Sequence, residues 1–184
     1  MTTETIWWSE HPTDLGTFGI ASTVAGLLAL FLPSEMPRHE AALQRLLRTG
    51  TIVPDDGRNQ PVAKQLDAYL GGARRVFDLR LDLRGTPFQL AVWRAVAEVP
   101  WGETASYGEI AARIGKSPGA SRAVGAANGA NPIPVIIPCH RIVGSDGTLT
   151  GYGGGLPLKR ALLEREGFHL AETAAGWGTL SLPM

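Results

Sequence analysis

One thiol dominates the chemistry open to this sequence. Its 184 residues hold a single cysteine, Cys139, followed at once by His140 and Arg141. A thiol attacks as thiolate, and an ordinary pKa of about 8.5 leaves only a few per cent ionised at neutral pH. A base, a cation or a helix N-terminus must therefore assist. His140 and Arg141 are adjacent in sequence, but neighbours on an extended strand point to opposite faces. A turn at Pro138-Cys139-His140, or a bridging water, is needed to bring imidazole and sulfur together. The whole stretch Asn131 to Gly155 is built around this point. Pro134 and Pro138 stiffen its approach, and a glycine cluster with Tyr152 closes it. A lone buried cysteine is otherwise a small hydrophobe. With no second cysteine there is no internal disulfide, no zinc-finger spacing and no predicted metal or cofactor. A free thiol fits a reducing, cytoplasmic compartment.

The elements before the thiol read as helices. Thr86, Pro87 and Gln89 form a capping signature, with Phe88, Ala91, Val92, Ala95 and Val96 for burial to about Ala97. Ser106 and Glu109 make a second capping box, with Tyr107, Ile110, Ala111 and Ile114 on one face and Gly115 as a stop. Ser117-Pro118 opens a third helix with Ala120, Ala123, Val124 and Ala127 inward. The last two helices resemble a helix-turn-helix. Apart from Arg122, Gly119 to Ala130 contains only Gly, Ala, Ser, Val and Asn. Such a helix cannot reach base edges with long polar side chains. It suits close, shape-based approach with one cation projecting. Between Ile110 and Ser145 there is no acidic residue, while Arg113, Lys116, Arg122 and Arg141 fall inside, a small footprint for phosphates.

The first half reads as a small α/β unit. Strands are expected at 5–8, Thr17 to Ser22 and Leu27 to Leu32. Helices are expected over Arg38 to Leu47, with Leu43, Leu46 and Leu47 on one face, and over Val62 to Leu70. Thr49 to Asn59 reads as a turn-rich loop. Phe77, Leu79, Leu81 and Leu83 alternate with charged residues and predict a half-buried strand. The uncharged run between Asp14 and Glu35 is about as long as a membrane span, but its glycines, serines and threonines favour a buried hairpin. Net charge is zero and 44% of residues are hydrophobic, an ordinary globular balance. The expected divisions are 1–84, 85–170 and a flexible tail 171–184 in which Trp177 could dock.

Pro138-Cys139-His140-Arg141, with Asn131-Pro132 before it and Gly151-Tyr152 after it, resembles the active-site signature of the O6-alkylguanine-DNA alkyltransferases, or methylated-DNA–protein-cysteine methyltransferases. The resemblance spans Phe88 to Gly167, including Ala105-Ser106-Tyr107, Ser121 to Gly125 and Glu164 to Gly167. It implies a ribonuclease-H-like N-terminal α/β domain, with a small antiparallel sheet and helices, and a mainly α winged-helix domain. It implies repair of O6-alkylguanine, and of O4-alkylthymine, by irreversible transfer of the alkyl group to Cys139 after base flipping. Carried over residue by residue, His140 is the base, Glu166 orients it, Tyr107 donates a proton and Asn131 fixes the turn. Arg122 fills the gap left by the flipped base. Ser121, Ala123, Ala127 and Lys116 face DNA, while Pro134, Tyr152, Gly153 and Arg141 line the pocket. Gly153 departs from members that carry a side chain there, which widens the pocket. The implied partner is duplex DNA, bound by a protein that is monomeric in solution and able to cluster on DNA, with no membrane. The zinc site of some members has no counterpart. Three other classes use parts of the same pattern. A cysteine hydrolase needs an oxyanion hole and turnover, and a helix-turn-helix regulator needs base-reading side chains. Non-transferring alkylguanine-binding relatives lack the cysteine.

Overall fold

A computed structural model describes residues 4–46, 50–173 and 176–181. The chain forms two compact units, Met1–Arg84 and Gly85–Met184. In the first, β1 (Glu4–Thr13) and β2 (Gly16–Thr23) form an antiparallel hairpin, and β3 (Gly26–Phe31) continues it. A 3-10 turn over Pro33–Arg38 leads into α1 (His39–Leu46), and the chain returns as β4 (Gly50–Pro54). β4 lies parallel to β1, pairing Ile6 with Ile52, so the order is β3-β2-β1-β4. The sheet is thus mixed, not antiparallel as expected. A segment containing a helix separates β3 from β4, and that length permits a crossover which a tight turn cannot make.

Two more expectations change here. The turn-rich stretch from Thr49 to Asn59 supplies β4 and the start of α2 (Asp56–Leu70). Asp55 is a helix cap there, its carboxylate accepting the Arg58 amide at 3.0 Å. Residues 77–83 keep the alternating exposure of a strand but form only one bridge, Leu81 to Leu27. The Leu27 amide donates to the Arg80 carbonyl and the Asp82 amide to the Leu27 carbonyl, both at 2.8 Å. The uncharged stretch after Asp14 is the β2–β3 hairpin, and no helix among the described residues is long and apolar enough to cross a membrane.

One core cluster gathers Ile6, Ala21, Leu28, Ala29 and Phe31 of the sheet with Leu43 of α1. Elsewhere on the sheet, α2 presents Asn59, which is 1% exposed. Its carboxamide accepts from Ser22 Oγ at 2.6 Å and donates to the carbonyls of Trp7 at 3.2 Å and Ile20 at 3.1 Å. A buried amide that satisfies two strands and a hydroxyl fixes how α2 sits on them. Leu47 and Thr49 lie outside the described residues, as do the side chains of Leu46 and Trp177.

The second unit opens with α3 (Pro87–Ala97), capped by Thr86 and Gln89. Its buried side is Val92, Trp93, Ala95 and Val96, while Phe88 and Ala91 are only half-buried. β5 (Ala105–Ser106) runs straight into α4 (Tyr107–Arg113), which carries the Ser106–Glu109 capping box. A 3-10 turn over Pro118–Ala120 precedes α5 (Ser121–Gly129). β6 (Ile142–Val143) pairs in parallel with β5, Ala105 opposite Ile142. α6 (Leu156–Arg165) follows a glycine-rich loop. The expected flexible tail instead contains a hairpin of β7 (His169–Thr173) and β8 (Gly176–Ser181). Its strands need only backbone pairing, which composition does not reveal.

Asn59→Ala should lower the stability of the protein by about 2 to 3 kcal/mol in urea unfolding, because two strand carbonyls and a serine hydroxyl lose their buried partner. A loss below about 0.5 kcal/mol would show that α2 docks without it.

Candidate active site

Cys139, His140 and Arg141 form a single 3-10 turn, closed by the Arg141 amide donating to the Pro138 carbonyl at 2.9 Å. The turn that the sequence required is therefore present. All three side chains are buried, His140 completely. The loop before them is held from two sides. Asn131 donates its amide to the Ile137 carbonyl at 2.9 Å and accepts the Ile133 amide at 3.0 Å. Asn128, buried on α5, donates to the Cys139 carbonyl at 3.3 Å. Between these ties, Val135 adopts φ +72°, a left-handed conformation costly for a β-branched residue. Its side chain is 1% exposed, so burial of the isopropyl group helps to offset the strain.

Behind the thiol lies Glu166, its side chain fully buried. His140 Nε2 and Glu166 Oε1 are hydrogen-bonded at 2.9 Å. Arg141 donates Nε to both carboxylate oxygens, at 3.1 and 2.9 Å, and Nη2 to Oε1 at 2.8 Å. Arg141 Nη1 donates to the Val99 carbonyl at 2.6 Å. The Gly102 amide adds a long contact to Oε2 at 3.4 Å. Arg141, expected in a pocket wall, has its guanidinium engaged by the Glu166 carboxylate and the Val99 carbonyl. Glu166 itself caps α6, whose end is set by Gly167 at φ +96° and by the Phe168 amide donating to Leu163 at 3.1 Å.

Lys159 went unnoticed in the sequence. It is 0% exposed, and its ammonium donates to the Ile142 carbonyl at 2.6 Å and the Thr150 carbonyl at 3.1 Å. A signal was available: Lys159, Leu162, Leu163 and Glu166 lie at i, i+3, i+4 and i+7, one face of a helix. That face is buried, so both charges point inward. The Thr150 hydroxyl, also overlooked, lies 2.9 Å from the Tyr107 hydroxyl. The β5–β6 ladder brings them together, since Tyr107 follows β5 and Thr150 lies a short turn beyond β6.

The protonation states follow from burial and partners. Burial would raise the Glu166 carboxyl, but hydrogen bonds and charges from His140 and Arg141 outweigh it and hold it at about 2. Burial lowers His140; Glu166 pulls it back up while Arg141 and Lys159 push it down, so the balance favours a neutral imidazole able to accept a proton. Burial pushes the Cys139 thiol up, against hydrogen bonds from Asn131 and Tyr152 and the charge of Lys159. Burial brings Lys159 down to about 8, partly offset by attraction to Cys139. The arrangement is a buried thiol, a neutral histidine next to it in the same turn, and an ammonium whose charge acts on the thiol.

The helical face is separate from this cluster. Arg122, Ala123 and Lys116 are exposed, and Ser121 is half-buried with its hydroxyl donating to the Pro118 carbonyl at 2.5 Å. Ala127 was expected to face outward as well as inward. It is 4% exposed, and its carbonyl accepts Trp93 Nε1 at 2.8 Å. Ala126 is exposed, and so is Ala123, which like Ala127 was expected both inward and facing DNA. Pro134 is buried, Tyr152 half-buried and Gly153 exposed. Among the described residues no three His, Cys, Asp or Glu side chains group as a metal site.

A buried cysteine in one turn with a histidine and an arginine that share a buried carboxylate makes this a thiol-centred site. Comparison with known proteins gives the family. Residues 87–168 match the model of the 6-O-methylguanine DNA methyltransferase, DNA binding domain. The inducible methylated-DNA–protein-cysteine methyltransferase of Bacillus subtilis is 42% identical over 165 residues, 88% of this chain and 90% of that protein. The Mycobacterium tuberculosis enzyme of the same name is 59% identical over 113 residues, 61% of this chain and 68% of that protein. A crystal structure of Mycobacterium tuberculosis O6-methylguanine methyltransferase superposes with a TM-score of 0.76 at 44% identity, covering 88% of this chain and 92% of that one. Mycobacterium tuberculosis OGT in complex with DNA gives 0.74 over the same shares. The chain belongs to the methylated-DNA–protein-cysteine methyltransferase family, a family of single-turnover alkyltransferases.

Stability should fall in acid through Glu166. Its carboxyl is depressed in the folded state, so its stabilisation is present above the ordinary value of 4.5 and is lost as pH falls toward about 2. Glu166→Gln should cost about 3 to 5 kcal/mol at pH 7, since Arg141 keeps a buried charge without its counter-ion. Urea unfolding from pH 7 to pH 2 should show the variant without that acid limb. An unchanged limb would assign the acid sensitivity to other carboxyls.

Proposed function

We propose that this protein repairs DNA by taking the alkyl group of O6-alkylguanine irreversibly onto Cys139. The observation that carries the reading is the buried Cys139–His140–Glu166 cluster inside the segment that matches the family. The sulfur attacks the saturated carbon on O6, an S–C bond forms, and the C–O6 bond breaks with its electron pair left on the guanine. The thiol proton passes to His140 through a water, with Glu166 holding the imidazole by Nε2 so that Nδ1 serves as the base. Tyr107 gives a proton to the departing base. The resulting thioether is stable, since a thiolate is a poor leaving group from saturated carbon, so each molecule acts once. Lys159 adds a charge that favours thiolate as the attack begins.

A base stacked in a duplex is out of reach of a buried sulfur, so the nucleotide is flipped. Arg122 fills the vacated space, while Ala123 and Ala126 allow the backbone to approach the minor groove and Lys116 and Ser121 meet phosphates. Pro134, Tyr152 and Gly153 wall the pocket, and Asn131 holds its loop. The exposed Gly153 leaves room for groups larger than methyl, and O4-alkylthymine presents a similar alkoxy carbon. The first unit is a ribonuclease-H-like domain and the second a winged-helix one. The protein acts as a monomer with access to DNA in the cytoplasm, and several copies can cluster along a duplex.

Mixed with duplex DNA containing O6-methylguanine, the protein should gain the mass of one methylene on Cys139, one lesion repaired per molecule. Cys139→Ser should show no transfer. Turnover beyond one lesion per protein would falsify the stoichiometric mechanism. Arg122→Ala should slow repair of duplex by about 10-fold or more while leaving the reaction with free O6-alkylguanine nearly unchanged, as expected for a residue acting through DNA. Equal slowing on both substrates would remove the flipping role.

A further inference from the structure

Tyr107 does not stand alone. Its hydroxyl lies 2.9 Å from Thr150 Oγ1, and the carbonyl of that same threonine accepts the Lys159 ammonium at 3.1 Å. Thr150 is itself well anchored. Its neighbour Leu149 is 8% exposed in a cluster with Val143, Leu163 and Phe168. The turn before it is closed by the Gly144 amide donating to the Thr148 carbonyl at 2.9 Å. The phenol ring of Tyr107 lies beside Gly125 of α5, where even an added Cβ would rest 3.6 Å from it. The Tyr107 oxygen is thus held by the Thr150 hydroxyl, with its ring lying beside α5.

We infer that Thr150 is a positioning residue for the leaving-group step, its hydroxyl donating to the Tyr107 oxygen so that the phenol proton is aimed at the departing base. This rests on the alkyl-transfer reading above. A phenol that gives its proton to a ligand cannot also give it to Thr150, so in the reactive complex Thr150 must be the donor of that pair. As the C–O6 bond breaks, the electron pair goes to the guanine, which takes the proton from Tyr107. The phenolate that results keeps the Thr150 hydrogen bond, which is stronger to an ionised acceptor than to a neutral one. The proton that Cys139 released to His140 then restores the phenol through solvent, so no proton is gained or lost. A bond that strengthens as charge develops accelerates the step rather than binding alone.

The side chain can be tested separately from its backbone, because the contact with Lys159 uses the Thr150 carbonyl and survives substitution. Thr150→Val keeps the shape and removes the hydroxyl. At saturating DNA, single-turnover transfer from O6-methylguanine should slow about three- to tenfold, the size of one hydrogen bond. Thr150→Ser should restore it. Methyl iodide gives the same S-methylcysteine but releases iodide, which needs no proton, so its reaction with Cys139 should change less than twofold in Thr150→Val. Tyr107→Phe combined with Thr150→Val should be no slower than Tyr107→Phe alone. Equal slowing with both methyl donors, or multiplicative losses in the double variant, would overturn the assignment. Failure of the unsubstituted protein to take methyl from DNA, with methyl iodide still reacting, would overturn the alkyl-transfer reading and this inference with it.

Discussion

The site depends on one buried carboxylate. Glu166 sits out of water at the end of α6, where an isolated negative charge would be very costly. Arg141 and His140 both turn toward it, and the Gly102 amide approaches from a third direction. This sets the orientation of the imidazole, since Nε2 is committed to Glu166. It also bears on its charge: burial lowers the histidine most, Glu166 pulls it back up, and the charges of Arg141 and Lys159 push it down again.

Around that anchor the thiol loop is held by its own backbone turn and by side-chain ties together. A 3-10 turn, two asparagine ties and a strained valine leave the Cys139 loop little freedom. For the proposed transfer this rigidity matters. Displacement at a saturated carbon demands a sulfur in line with the bond that breaks, and a small misplacement is expensive in rate. Burial raises the thiol and lowers Lys159, so both groups sit closer to neutrality than they would in water. The pair is suited to shift charge when a ligand arrives rather than to display a free thiolate to solvent.

The local elements were legible because their signals are local. Thr86 with Gln89, and Ser106 with Glu109, cap their helices as spacing required, and the hairpins follow the glycines and alternation of the first half. The errors came where pairing is long-range. Nothing within Gly50–Pro54 reveals that it will join β1 in parallel, and nothing in the alternation of 77–83 shows that only Leu81 will bridge to Leu27. Ala123 and Ala127 were each read both as inward and as facing DNA, because a helix of alanines has no amphipathic contrast to orient it. Trp93, 34 residues away, decides which of them is buried.

The sequence by itself determined the identity of the reactive group. A single cysteine beside histidine and arginine, between stiff prolines and a glycine loop, admits few chemistries, because residue type fixes what a side chain can donate, accept or attack. Only the tertiary structure decided who serves that group. Arg141 engaged Glu166, Lys159 came to the thiol from 20 positions away, and Thr150 met Tyr107 across the β5–β6 ladder. Those partners are chosen by burial. A charge or hydroxyl removed from water must find a complement in three dimensions, and sequence separation says little about which one will be near.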